Sequence, residues 1–188
     1  DGYNAEVDAV NGTLQAIRLV RSLADEYDFD SNKIGVMGFS AGGEPSANAA
    51  LFYEKFDAEN NNSTDPLAGV TSRPDFAGLI YTGPSALTKD PESVTIPKNV
   101  PPAFICSASY GNASHTVWSF EYYMAMLKQE VPNIEIHMYG NGWHGGGFQD
   151  RGGIPYGTWT DRYIDWFRDL GFLQKPGIKT KAAVDIEV

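Results

Sequence analysis

Across residues 5–27 the apolar side chains Val7, Val10, Leu14, Ile17 and Ala24 return at steps of three, four and seven, so they fall on one face of a predicted helix. Asp28-Phe29-Asp30-Ser31-Asn32 is turn chemistry, and the run from Lys33 to Gly38 reads as a short buried strand. A second helix is predicted over 41–56. Pro45 is compatible with it, because the first four helical N–H groups have no intrahelical acceptor. Two more strand-like runs, 76–81 and 103–107, follow polar or proline-rich connections at 57–75 and 84–102, long enough to be candidates for covering a site. A helix over 117–129 is expected to bury Val117, Phe120, Met124 and Leu127. A strand over 134–139 and a last helix carrying Trp159, Tyr163, Trp166 and Leu170, closed by Gly171, complete the pattern.

Strand and helix therefore alternate, which predicts an α/β architecture with a mainly parallel sheet flanked by helices. At 188 residues, 42% of them hydrophobic, the chain has enough material for one domain with an ordinary core. A formal net charge of −10 works against nucleic acid or an anionic membrane surface as a partner. No apolar run reaches the roughly 18 residues of a membrane span, and the first residues lack the basic and apolar regions of a signal peptide. With Cys106 as the one cysteine, neither an internal disulfide nor a multi-thiolate zinc site is available. His115, His137 and His144 have no metal-ligand spacing, so neither a metal nor any other cofactor is expected. Sequons at Asn11, Asn61, Asn62 and Asn112 point to a secreted or extracellular setting, with a cytoplasmic one as the alternative.

The chemistry concentrates at Gly38-Phe39-Ser40-Ala41-Gly42-Gly43, a G-x-S-x-G between a predicted buried strand and a predicted helix. A nucleophile on such a turn sits in a strained backbone, and small neighbours at Gly38 and Gly42 are expected to relieve crowding around it. The helix start aims free N–H groups at developing oxyanion charge, and Ala41 N–H is one such donor. His144 follows the last strand in a glycine-rich loop, at the edge where ligand sites of open α/β sheets lie, and is the candidate general base. His137 alternates with apolar strand positions and reads as structural, while His115 is unassigned. Gly140-x-Gly142-x-x-Gly145 matches a dinucleotide fingerprint, but no further strand completes a βαβ unit after it.

Together with residues 16–21, 73–81, 101–104 and 142–145, the 33–44 stretch around Ser40 resembles the α/β-hydrolase superfamily, in particular its small acetyl-esterase and dienelactone-hydrolase-like branch. The matching stretches keep family order through residues 5–173, and 174–188 read as a tail or linker. The resemblance implies a serine carboxylic ester hydrolase that works through an acyl-enzyme, with acetyl or feruloyl esters of carbohydrates as the substrate class. It also implies an acid after the strand at 103–107, yet Ser109-Tyr110-Gly111-Asn112 stands there. Three readings stay open. The acid comes from the preceding loop, which holds Asp90 and Glu92; a neutral group such as Asn112 replaces it; or the chain is not an efficient hydrolase, the alternative function being a catalytically silent hydrolase-fold binding or scaffolding protein. Asp90 is the first choice for the acid. The resemblance further implies an oxyanion loop and several strands ahead of residue 5. Residues 1–173 are therefore expected to be the C-terminal portion of a catalytic domain, lacking its N-terminal strands and completed by a preceding segment or a second chain.

Overall fold

The computed structural model describes residues 2, 4–61, 64–150 and 153–173, so the tail or linker expected at 174–188 lies outside the described residues. Four strands, β1 (Val36–Phe39), β2 (Ala77–Ile80), β3 (Ala103–Tyr110) and β4 (Glu135–Asn141), form one parallel sheet in the order β1-β2-β3-β4. Among the described residues β1 and β4 are its edges. The connecting helices are α3 (Gly43–Asn60) between β1 and β2, α4 (Ala86–Lys89) between β2 and β3, and α5 (Ala113–Lys128) between β3 and β4. Helix α1 (Ala5–Ser22) and the single turn α2 (Ala24–Tyr27) precede the sheet, and α6 (Trp159–Asp169) follows it.

Because both faces of a parallel sheet are covered, β2 is apolar throughout, and its side chains divide by the strand period of two. On one face Leu79 and Ile105 pack with Ala47, Leu51, Leu87, Tyr122 and Met126 of the connecting helices. On the other, Ile80, Phe104 and Cys106 meet the aromatic stripe of α6, where Trp159, Tyr163 and Trp166 are buried. Helix α1 forms an outer layer, with Val10 and Leu14 against Ala49 and Tyr53 of α3. Its Arg18, only 1% exposed, donates to the carbonyls of Val70 and Leu67 and to Asp65, fastening residues 65–70 of the connection between α3 and β2 to the helix. The described part of that connection thus belongs to the α1–α3 side.

The 5–27 helix breaks at Leu23, and the first strand begins at Val36 rather than Lys33. Helix α5 differs most from expectation. It starts at Ala113, and it buries Ser119, Tyr122 and Met126 while Val117, Phe120 and Leu127 stand about half exposed. Apolar residues populate several sides of this helix, so its periodicity offered two competing stripes, and the point where it leaves β3 selected the other one.

Candidate active site

Three strand ends supply the polar side chains, all at the carboxyl edge of the sheet, where a parallel α/β sheet leaves room for a ligand. Ser40 follows β1, Asn112 follows β3, and His144 follows β4. Ser40 is in the left-handed region, with φ 54°, on a turn that runs through a 3-10 turn (Ser40–Gly42) into α3. The turn is sterically determined. A Cβ at Gly38 would lie 1.9 Å from the Gly42 carbonyl oxygen, and one at Gly43 would lie 2.4 Å from the Thr82 hydroxyl. Gly42, expected to relieve crowding, instead faces open space; Gly43 is the second position that needs glycine. The Ser40 carbonyl accepts from Gly83 N–H at 2.8 Å, which fixes the turn against the end of β2.

Ser40 and His144 follow the two edge strands, which lie roughly 14 Å apart at the spacing of parallel strands. The loop after β4 closes that gap by returning across the sheet, and Ser40 Oγ lies 2.7 Å from His144 Nε2. Tyr81, buried at the end of β2 with φ 37°, holds this loop: its hydroxyl accepts from Gly147 N–H at 3.1 Å. Its ring meets the His144 ring edge-on, 5.1 Å between centroids.

At the other imidazole nitrogen, Asn112 Oδ1 lies 3.1 Å from His144 Nδ1. Asn112 is the N-cap residue of α5 and is buried, but its side chain caps nothing; it is committed to His144 and to the Ser107 hydroxyl. Asp90 is not brought to His144. It is the exposed C-cap residue of α4, a helix tied to α3 through Lys89 and Glu44 and through Ala86 N–H and Asn48. The 84–102 connection therefore packs against α3 and α5 and contributes no carboxylate to the imidazole, whereas the residue after β3 does so with an amide.

His115, unassigned from the sequence, lies one turn into α5. Its ring lies tilted against that of His144, 4.1 Å between centroids, with Trp118 against it at 5.1 Å. Burial, and then the charge that His144 acquires on protonation, hold His115 below its ordinary value. The helix start adds to this, since a cation there opposes the dipole. Its position three residues after Asn112 was a readable signal, because a helix starting at Asn112 puts both on the same side; nothing in the sequence marked Tyr81. His137 stacks on Phe104 and pairs with Glu135, away from Ser40. Among the described residues no group of His, Cys, Asp and Glu is disposed to hold a metal ion, and no helix is long and apolar enough to cross a membrane.

This geometry agrees with relationships to known proteins. A family model described as BD-FAE matches residues 4–92, a stretch that includes α1, Ser40, Ala41 and Tyr81. The crystal structure of an acetyl ester-xyloside bifunctional hydrolase from Caldicellulosiruptor lactoaceticus superposes with a TM-score of 0.75 at 27% identity, over 88% of this chain and 66% of that one. The chain has the α/β-hydrolase fold. The carboxylesterase Cest-2923 from Lactobacillus plantarum shares the fold, with a TM-score of 0.68 at 18% identity over 88% of this chain and 69% of that one. A curated relative, endo-1,4-beta-xylanase B of Butyrivibrio fibrisolvens, is 26% identical over 152 residues. That match covers 70% of this chain but 23% of the xylanase, so this hydrolase-fold chain spans about two thirds of its first structural neighbour and under a quarter of that relative.

Proposed function

We propose that this α/β-hydrolase chain carries the nucleophile and base of a serine carboxylic ester hydrolase. The observation that carries the reading is the 2.7 Å contact between Ser40 Oγ, on a strained strand-to-helix turn, and His144 Nε2 from the far edge of the sheet. Ser40 Oγ attacks the ester carbonyl as His144 takes its proton. The imidazolium then passes that proton to the departing alcohol, leaving acyl-Ser40, and water activated by the same imidazole releases the acid. Ala41 is exposed in the 3-10 turn, and its N–H is one donor to the oxyanion. The second donor comes from outside residues 1–188, from a preceding segment or a second chain. A cleft of about 350 Å³ lined by Glu6, Val10, Ala41 and Glu44 leaves space for it beside Ala41.

Acetyl or feruloyl esters of carbohydrates are the proposed substrates. Two observations support this class: the acetyl ester-xyloside hydrolase and xylanase relatives, and the exposed rings of Trp143 and Phe148 flanking the His144 loop as apolar platforms. The competing reading, a silent binding protein, draws on the neutral Asn112 in place of a carboxylate. Incubation with a fluorophosphonate followed by mass spectrometry separates the two. Modification at Ser40 that disappears in Ser40→Ala and in His144→Ala supports the hydrolase, and an unmodified Ser40 in folded protein supports the silent protein.

A further inference from the structure

Asn112 meets His144 where serine hydrolases place a carboxylate, and an amide there is ambiguous. Its oxygen selects the imidazole tautomer with the proton on Nδ1, which leaves Nε2 free to take the Ser40 proton. Its NH2 group selects the opposite tautomer, whose Nε2 is already protonated and useless as a base. In a serine protease an amide at this position costs about four orders of magnitude in turnover through the wrong tautomer.

The surrounding hydroxyls resolve the ambiguity. Thr116 Oγ1 lies 2.7 Å from the Ala108 carbonyl oxygen, which can only accept, so the Thr116 hydroxyl donates there. Thr116 Oγ1 is also 3.0 Å from Ser107 Oγ, and with its own proton spent it must accept, so the Ser107 hydroxyl donates to it. Ser107 is fully buried, and its oxygen then has lone pairs to offer the Asn112 amide, 3.4 Å away. Only the NH2 group satisfies that contact. Turned over, the amide would set its oxygen against the Ser107 lone pairs in a site closed to water, at the cost of a buried unpaired group.

We infer that Ser107 and Thr116 are positioning residues: a one-way hydrogen-bond relay from Asn112 Nδ2 through Ser107 and Thr116 to the Ala108 carbonyl locks the amide, and so gives His144 the tautomer a general base needs. The relay explains how a neutral residue does the orienting work of a carboxylate. It rests on the proposed role of Ser40 and His144, and the experiment keeps the two separable.

The full chain, labelled with nitrogen-15 at histidine, reports the His144 tautomer directly by NMR, and the rate of Ser40 modification by a fluorophosphonate reports the base. In the parent chain the proton is expected on Nδ1. Ser107→Ala frees the amide to turn: the His144 signals move towards the Nε2–H form, and Ser40 modification slows by at least about tenfold. Adding Asn112→Asp removes the dependence, because a carboxylate presents oxygen whichever way it faces. Ser107→Ala then changes the rate of the Asn112→Asp chain by less than about threefold. Thr116→Val, at a half-buried position, supplies the same test if Ser107→Ala does not fold. It leaves the Ser107 hydroxyl free to donate to a turned amide and lowers the rate in the same direction. Unchanged tautomer and rate in Ser107→Ala overturn the relay. A loss that Asn112→Asp fails to rescue also overturns it, by making Ser107 merely structural. A tautomer that responds to Ser107→Ala in a chain whose Ser40 is never modified keeps the relay and removes the hydrolase reading.

Discussion

At the scale of single residues the site is an imidazole held by neutral groups. His144 has an amide at Nδ1, the Tyr81 ring in an edge-on contact and the tilted ring of His115 beside it, with no carboxylate hydrogen-bonded to it among the described residues. Burial and the nearness of the His144 ring favour a neutral His115, since two adjacent cations would repel. The consequence for stability has a definite sign. His115 is held below 6.5 in the folded chain, so the unfolded chain binds this proton first as the pH falls. Its contribution is therefore complete above about pH 6.5 and is lost progressively below it, down to the lowered folded value. Urea midpoints measured between pH 7.5 and 5 are expected to fall less steeply in His115→Phe, which keeps a ring and removes the proton. Parallel curves for the two proteins would show that His115 titrates as an ordinary exposed histidine.

At the scale of elements, the turn from β1 into α3 shows where glycine is required and where it is incidental. The G-x-S-x-G pattern treats Gly38 and Gly42 alike, but only Gly38 abuts backbone, against the Gly42 carbonyl; the close contact on the other side belongs to Gly43 and Thr82. Gly38→Ala is expected to abolish Ser40 modification, because backbone at 1.9 Å has nowhere to go. Gly42→Ala, at φ −71° with open space around its Cβ, is expected to raise stability by about 0.5 kcal/mol in urea melts and to keep the fold. A destabilised Gly42→Ala protein would mean that the turn depends on Gly42 flexibility. Helix α5 carries the complementary lesson. Its composition made a helix readable, yet its exposed Val117, Phe120 and Leu127 were the residues expected inside. A side chain's burial there depends on where β3 ends, and Asn112 sets that through an N-cap whose side chain is diverted to His144.

At the scale of the whole molecule, the sheet ends among the described residues on β1, the strand that leads into Ser40. Val36 N–H is bonded to Phe76, so by alternation Met37 and Phe39 direct their N–H groups to the open edge, where nothing among the described residues receives them. We propose that a strand from a preceding segment or another chain pairs there and brings the second oxyanion donor to the cleft beside Ala41. The 188-residue chain alone is expected to self-associate in sedimentation or to exchange the Met37 and Phe39 amides far faster than those of β2 and β3. A monomer in which those two amides are as protected as the central strands would end the proposal.

The sequence by itself determined what depends on local pattern: helix and strand alternation, the four strands, the turn that carries Ser40, and a histidine in the loop after the last strand. These are legible because apolar period and turn chemistry act over a few residues. Which face of α5 is buried, which glycine of the elbow is crowded and what stands at His144 Nδ1 were decided only by the tertiary structure. Asp90 and Asn112 are both polar residues after strands. Only the parallel packing of β3 beside β4, and the return of the His144 loop across the sheet, put Asn112 rather than Asp90 against the imidazole.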